Sequence, residues 1–406
     1  MPRATATSSW LPLAYQLLWS SQFHRFTATL RSSGLVGIAL NKTMGKNSHK
    51  YLMPVTTMMT GFFNSGSRTV TDRFSFRIRA ATFLALILEC LTFVVPGCSV
   101  TSWKSPLGRD HPLTGRIWDV SSGKFIDRES LVHRLARADF VLLGERHDNP
   151  DHHRLQAEVL RSLIAAGRRP TVGFEMFGVD DAKAIAEHLA ATPDDAAGLG
   201  SAVKWNERGW PDWAMYQPIA EAALEAKLRI IPTNLPVATA RKMRSAVPAV
   251  LDPSETRALG LDQPLPESLS AILAADIRAS HCGYASEESV KAMVAVQRAR
   301  DAQMAESLIA AGDTDGAVLV AGAGHVRNDY GIPAYLTKKA AGKRVISIAF
   351  LEVDDRKPEP HNYALPYRNG RLPFDYVWFT PRVDDEDPCE KFKSQFERLK
   401  KPPSER

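Results

Sequence analysis

Three unbroken apolar runs punctuate the chain: Phe140-Val141-Leu142-Leu143, Thr171-Val172-Gly173-Phe174 and Ala317-Val318-Leu319-Val320-Ala321. Strands covered on both faces of an α/β sheet have this continuous character, whereas half-exposed strands alternate apolar and polar positions. Between these runs the apolar period lengthens to that of helices. Asn149-Pro150 opens one helix, Leu155, Val159, Leu160 and Leu163 give it an apolar face, and Gly167 ends it. An Ala-rich helix is expected from about Val179 to Ala191, a second over Ala214–Lys227, and a third near Ile332–Ala341. Leu228–Pro232 and Arg344–Val353 read as further strands, Arg116–Val120 and Lys124–Ile126 as a small hairpin, and Tyr376–Phe379 as an edge strand. Residues 235–312 read as helical, broken at Pro248, Pro253, Pro264 and Pro266, and are too long for an ordinary crossover. The pattern predicts a three-layer α/β fold with a mixed, mainly parallel central sheet and a helical subdomain over the cleft.

Composition changes this picture mainly at the N-terminus. The 406 residues, 44% hydrophobic and 24% charged, suit one large domain or two modest ones. The net charge of +6 is carried by the front of the chain: residues 1–71 hold seven Lys/Arg and no acid, and from Cys98 onward 41 basic residues face 43 acidic ones. The folded part therefore has no basic stripe, and nucleic acid is not expected as a partner. Residues 1–72, rich in Ser, Thr and Met, are expected to be a disordered leader or the product of a start placed ahead of Met58, Met59 or Val70; a transit peptide would share their acid-poor composition. Residues 73–97 join a basic head, Arg73–Arg79, to the apolar core Ala80–Val95, the length of a signal-peptide core and short for a membrane span. The closing Val95-Pro96-Gly97-Cys98 resembles a bacterial lipoprotein processing site, with Cys98 as the lipidated residue. Pro96 and Glu89 depart from that pattern, and a cleaved secretory signal or an anchoring helix is the alternative.

On the lipoprotein reading the protein sits in the bacterial cell envelope, held to a membrane by its lipid. Residues 98–114 then form a polar tether, 115–382 the folded domain with its insertion at 235–312, and 383–406 a charged tail. Cys282 and Cys389 lack metal-ligand spacing, and an oxidising compartment would allow one disulfide between them.

The candidate chemistry lies at the ends of the three runs. Glu145 and His147 follow the first, Glu175 the second and His325 the third, and ligands of α/β sheets bind outside the carboxyl ends of the strands. Glu145 and His147, two apart, project to one side of an extended backbone, and Gly144 removes a side chain where the strand is expected to turn. A carboxylate beside an imidazole orients it, raises its basicity or joins it on a metal. A helix-capping or carboxylate-bonded histidine is the plainer reading of each step alone. Gln297, Arg300, Asp301 and Met304 share one helix face, turned to a cavity or forming an ordinary surface pair. His281-Cys282-Gly283-Tyr284 reads as a helix end, and His152 and His153 as solvent-side residues. Trp205, Trp210 and Trp213 wall a pocket for a flat aromatic ligand or simply pack, and Tyr216 reads as a core or stacking residue.

Taken in order, Gly144–His153, Phe174-Glu175-Met176-Phe177, Trp213–Pro218, His281-Cys282, Arg300–Ala305 and Gly322–Val326 resemble the ChaN family of haem-binding lipoproteins, within a superfamily that includes Tiki/TraB-type proteins and erythromycin esterases. The similarity spans roughly residues 115–355. It implies an α/β fold, haem (iron protoporphyrin) bound for iron uptake through a tyrosine axial ligand, and haem shared across a homodimer. It also places Glu145, His147, Glu175 and His325 in the superfamily's shared pocket. Tyr284 and Tyr216, with Tyr330 behind them, are the candidate ligands, accompanied by Arg300 and His281. Phenolate, a hard anionic donor, suits ferric iron. A haem carrier has no need of two histidines and two carboxylates at strand ends, so the alternative is a metal-assisted ester or amide hydrolase, with a divalent cation and those four residues as its machinery. A third alternative is an inert envelope adaptor whose pocket residues are structural. The balance favours haem binding over catalysis.

Overall fold

In the computed structural model the three apolar runs become adjacent parallel strands at the middle of one sheet. The structure describes residues 102–390 apart from 246–250, 313–314, 365–369 and 388, together with Lys393; the leader, the signal-like segment and Cys98 lie outside the described residues. The strands are β1 (Ile117–Asp119), β2 (Lys124–Ile126), β3 (Phe140–Glu145), β4 (Thr171–Gly178), β5 (Ile230–Asn234), β6 (Ala317–Gly322), β7 (Val345–Glu352) and β8 (Tyr376–Thr380). Their spatial order is β2-β1-β8-β7-β3-β6-β4-β5. The six strands from β8 to β5 run parallel, and the β1–β2 hairpin is antiparallel to β8. Tyr376–Thr380 is thus an internal strand, not the expected edge: the hairpin pairs with its outer side.

The helices are α1 (Arg128–Leu135), α2 (Pro150–Ala165), α3 (Ala182–Ala191), α4 (Ala196–Ala202), α5 (Trp213–Glu225), α6 (Val237–Ser245), α7 (Pro253–Ala258), α8 (Glu267–Ser280), α9 (Glu287–Ala311) and α10 (Ile332–Lys339). Because strand side chains alternate between faces, each central strand feeds two cores. Val141, Leu143, Val318 and Val320 pack under α1, α2 and α5; Phe140, Leu142, Leu319 and Ala321 pack under α9 and α10. The region 237–311 forms α6 to α9, of which the 25-residue α9 lies along β5 and α10. Among the described residues no helix is long and apolar enough to cross a membrane.

Two expected boundaries move. The tether reading of 98–114 fails from Trp103 onward, where the chain joins the same compact unit as the domain. The backbone amides of Lys104 and Ser105 donate to the buried carboxylate of Asp151, Leu107 bridges to Arg382, and Leu113 is fully in the core. The tail, too, is anchored at its start, where the Val383 amide donates to Glu352.

Candidate functional site

Register brings the site together. β3 and β6 pair from Phe140↔Ala317 to Glu145↔Gly322, and β4 lies on the other side of β6 with Phe174 level with Val320. Glu145, Glu175, His147 and His325 therefore gather above three neighbouring strand ends, and all four are buried. Gly144 stays within β3, where the expected turn is absent. A Cβ there would fall 2.3 Å from Val326 and 3.1 Å from the Ile348 carbonyl, so glycine permits close packing under the loop after β6.

Glu145 anchors the first half. Its Oε1 accepts from the Tyr216 hydroxyl and from His147 Nδ1, both at 2.8 Å, while Oε2 lies 3.0 Å from His153 Nδ1. Burial alone would raise the Glu145 pKa, but His153 and His147 outweigh it and hold the carboxyl below its ordinary value. His153, which burial would push down, is pushed up by Glu145, and its Nε2 donates to the His147 carbonyl at 2.9 Å. With Nδ1 committed to Glu145, the other nitrogen of His147 faces Gly322: a Cβ on that glycine would lie 3.0 Å from Nε2. The Trp210 indole meets the same imidazole edge-on at 5.0 Å.

Glu175 anchors the second half. Its Oε2 accepts the Gly322 amide at 2.6 Å, and its Oε1 meets Arg300 at 2.6 Å and His325 Nε2 at 3.2 Å. Burial opposes ionisation here as well, and His325 and Arg300 overcome it, holding the carboxyl well below its usual range. The opposite ring nitrogen, Nδ1 of His325, lies 2.5 Å from Asp301 on α9. Burial would depress His325, yet Glu175 and Asp301 together lift it to about 9. Asp301 nonetheless sits at about 6, because burial costs it more than the imidazolium returns, and its Oδ2 is buried without a hydrogen bond. Both ring nitrogens aim at carboxylates, so we assign His325 as the imidazolium at neutral pH. It is a clamped cation rather than a free base.

The other sequence candidates separate. Tyr216 is fully buried, and burial followed by Glu145 raises its pKa well above the usual phenol range. Tyr330 is buried with its hydroxyl donating to Asp276 at 2.8 Å. Tyr284 is 54% exposed, on the turn that follows α8. His281 caps α8 and is depressed by burial and by Arg244, which places that guanidinium near it. Arg244, half-buried on α6, is in turn repelled by Arg241 and by Arg300. Among the described residues no group of three or more His, Cys, Asp or Glu side chains is arranged to hold a metal ion.

A family sequence model for haem-binding uptake proteins of the Tiki superfamily, ChaN, matches residues 131–336. The chain belongs to the ChaN family. Among solved structures, the cofacial haem-binding ChaN of Campylobacter jejuni superposes with a TM-score of 0.51 at 20% identity, over 64% of this chain and 95% of that one. An erythromycin esterase, EreC, in its open conformation gives 0.35 at 13% identity, over 59% of this chain and 76% of that one. A type III effector gives 0.31 at 15%, over 63% and 93%. At such identities the first likeness speaks to the fold. No curated protein matches the sequence.

For this ChaN-family chain the readings of α2 and of the indole loop need correction. His152 and His153, expected to face solvent, are fully buried. His152 Nδ1 accepts the Arg146 amide at 2.8 Å and its Nε2 meets Thr380, while His153 packs 4.0 Å from the Tyr216 ring. The signal was present: His152 precedes Leu155 by three and Val159 by seven residues, on the apolar face. Trp205 and Trp213 donate their N–H groups to the Pro211 and Ala196 carbonyls and serve packing, which leaves Trp210 as the indole set against His147. Arg241 and Arg244 were not picked out from the sequence, where a basic helix reads as a solvated face.

Proposed function

We propose that this protein binds haem for envelope iron uptake, tethered to a membrane through a lipid on Cys98, with Tyr284 as axial ligand. One observation carries the assignment of the site: Tyr284, an exposed phenol, lies three residues beyond His281 at the end of α8, and His281 feels the charge of Arg244. Val237, Arg241 and Arg244 lie at i, i+4 and i+7 on α6 and so share a face. Val237, 43% exposed, and Tyr284 are the exposed large apolar side chains among the described residues. An amphipathic dianion suits such a surface, its macrocycle on the apolar side chains and its propionates toward Arg241, Arg244 and His281. Tyr216 and Tyr330 fit the iron less well, since both rings are buried, with their hydroxyls donating to Glu145 and Asp276. Bound haem would supply a ferric centre for the phenolate. The reading extends to a homodimer on haem binding, two copies presenting Tyr284 to each other.

Ferric haem titrated into the purified protein is expected to bind saturably with a tyrosinate-type spectrum. Tyr284→Phe should weaken binding by about tenfold or more, and Arg244→Gln by less. Unsaturable binding refutes the function; an unchanged spectrum in Tyr284→Phe refutes the ligand.

A second reading is favoured by the Glu145–His147 pair. Its geometry, a carboxylate on Nδ1 with Nε2 directed toward Gly322, is that of a general base for hydrolysis of an ester or amide. An ester and amide screen of wild type against His147→Ala tests it, and turnover indifferent to His147 ends it.

A further inference from the structure

The turn that bears Tyr284 is covalently tied to the far end of the chain. Cys282 and Cys389, 107 residues apart, form a disulfide with Cα atoms 5.5 Å apart. Cys282 has φ 55° and Gly283 φ 73°, so two successive residues after α8 are left-handed. Glycine adopts that region freely; for cysteine it costs about 1 kcal/mol or more and needs support from its surroundings. Local support comes from the Gly283 amide donating to the Arg278 carbonyl and the Tyr284 amide donating to the His281 carbonyl, both at 2.9 Å. Covalent support comes from Cys389, whose segment is itself moored to the sheet. Arg382 pairs through its backbone with Leu107, the Val383 amide donates to Glu352 at the end of β7, and Asp384 lies 3.6 Å from the Arg146 guanidinium at the end of β3. The bridge thus couples a segment moored at the ends of β3 and β7 to the turn after α8.

We infer that the Cys282–Cys389 bridge is a redox-sensitive clamp on the Tyr284 turn, so that haem is held by the oxidised protein and released more readily by the reduced one. The inference rests on Tyr284 being the haem ligand. A dithiol opens the clamp by exchange: its first thiolate attacks one sulfur to form a mixed disulfide, and its second closes it to a cyclic disulfide. The dithiol is oxidised by two electrons, and Cys282 and Cys389 leave as two thiols carrying its two protons. Once free, residues 282 and 283 have no covalent reason to stay left-handed, and the phenol two positions on loses its fixed direction.

The test compares the oxidised full-length protein with Cys282→Ser/Cys389→Ser and with native protein that has been reduced, alkylated and desalted. Two readouts are taken: amide hydrogen exchange over residues 281–285, and the rate of ferric haem transfer to an excess of apomyoglobin. In both opened forms, exchange over the turn and haem transfer are each expected to quicken by about tenfold, with exchange in the central strands unchanged. Unchanged exchange over the turn overturns the clamp, and this arm decides even if the oxidised protein binds no haem, which is the separate failure of the haem reading. Faster exchange with unchanged haem transfer overturns the link between clamp and ligand. The alkylated form decides should the double variant not fold.

Discussion

Replacing His325 by Ala tests the electrostatic account of the site most directly. The imidazolium lies between Asp301 at 2.5 Å and Glu175 at 3.2 Å, and these partners lift its pKa from 6.5 to about 9. A group whose pKa is raised on folding stabilises the fold fully below its unfolded pKa and loses that contribution as pH climbs through the folded one. For this shift the contribution is about 3 kcal/mol near pH 5, about 2.5 kcal/mol at pH 7 and close to zero at pH 10, at ~1.4 kcal/mol per pKa unit. Removing the ring also strips two buried carboxylates of a shared cation, which adds a penalty at neutral pH. Urea unfolding of wild type and His325→Ala should therefore show a gap of roughly 3 kcal/mol or more at pH 7 that narrows by about 2.5 kcal/mol at pH 10. Ring nitrogen shifts of His325 should report both sites protonated at pH 7. A gap independent of pH, or a neutral ring at pH 7, would refute the clamped imidazolium.

Three further outcomes follow from the same geometry. Gly322→Ala places a methyl 3.0 Å from His147 Nε2 and 3.5 Å from Glu175, so the His147 ring must shift and its contact with Trp210 should change, read as altered Trp fluorescence with a loss of about 1–3 kcal/mol. Glu145→Gln keeps the shape but turns an amide donor toward donors on Tyr216, His147 and His153; we expect a loss of about 2–4 kcal/mol in denaturant unfolding and a mixed tautomer at His147 by nitrogen NMR. His152 is held neutral, first by burial and then by His153, so its pKa lies well below 6.5 and its contribution is present above that pH and lost as pH falls beneath it. His152→Asn should lower stability at pH 7 yet flatten the decline in Tm between pH 7 and 5.

The central strands and the convergence of their ends were legible because burial on both faces leaves an uninterrupted apolar signature, and parallel neighbours share a direction. Glu145, His147, Glu175 and His325 needed nothing more than position after such runs. What the pattern hid was pairing: whether Arg300 and Asp301 faced a cavity or water depends on α9 lying beside β5, a contact distant in sequence. His153 escaped for a related reason, since it is an ordinary helix residue until Glu145 is set beside it; Tyr216, read as a core or stacking residue, is buried, but its bond to Glu145 left no local trace. The outer placement of the β1–β2 hairpin, which turned β8 into an inner strand, is likewise a matter of long-range register with no local trace.

The long excursion from β5 to β6 leaves the sheet and returns to it without setting the register of any strand, since β6 is aligned by β3 and β4. Its last helix, α9, sends Arg300 to Glu175 and Asp301 to His325, whereas α6, α7 and α8 lend nothing to those two ionic pairs. Rebuilding the detour ahead of α9 would change the side chains displayed around the strand ends and leave the pairs themselves in place, so a single scaffold can be re-dressed without being re-wired.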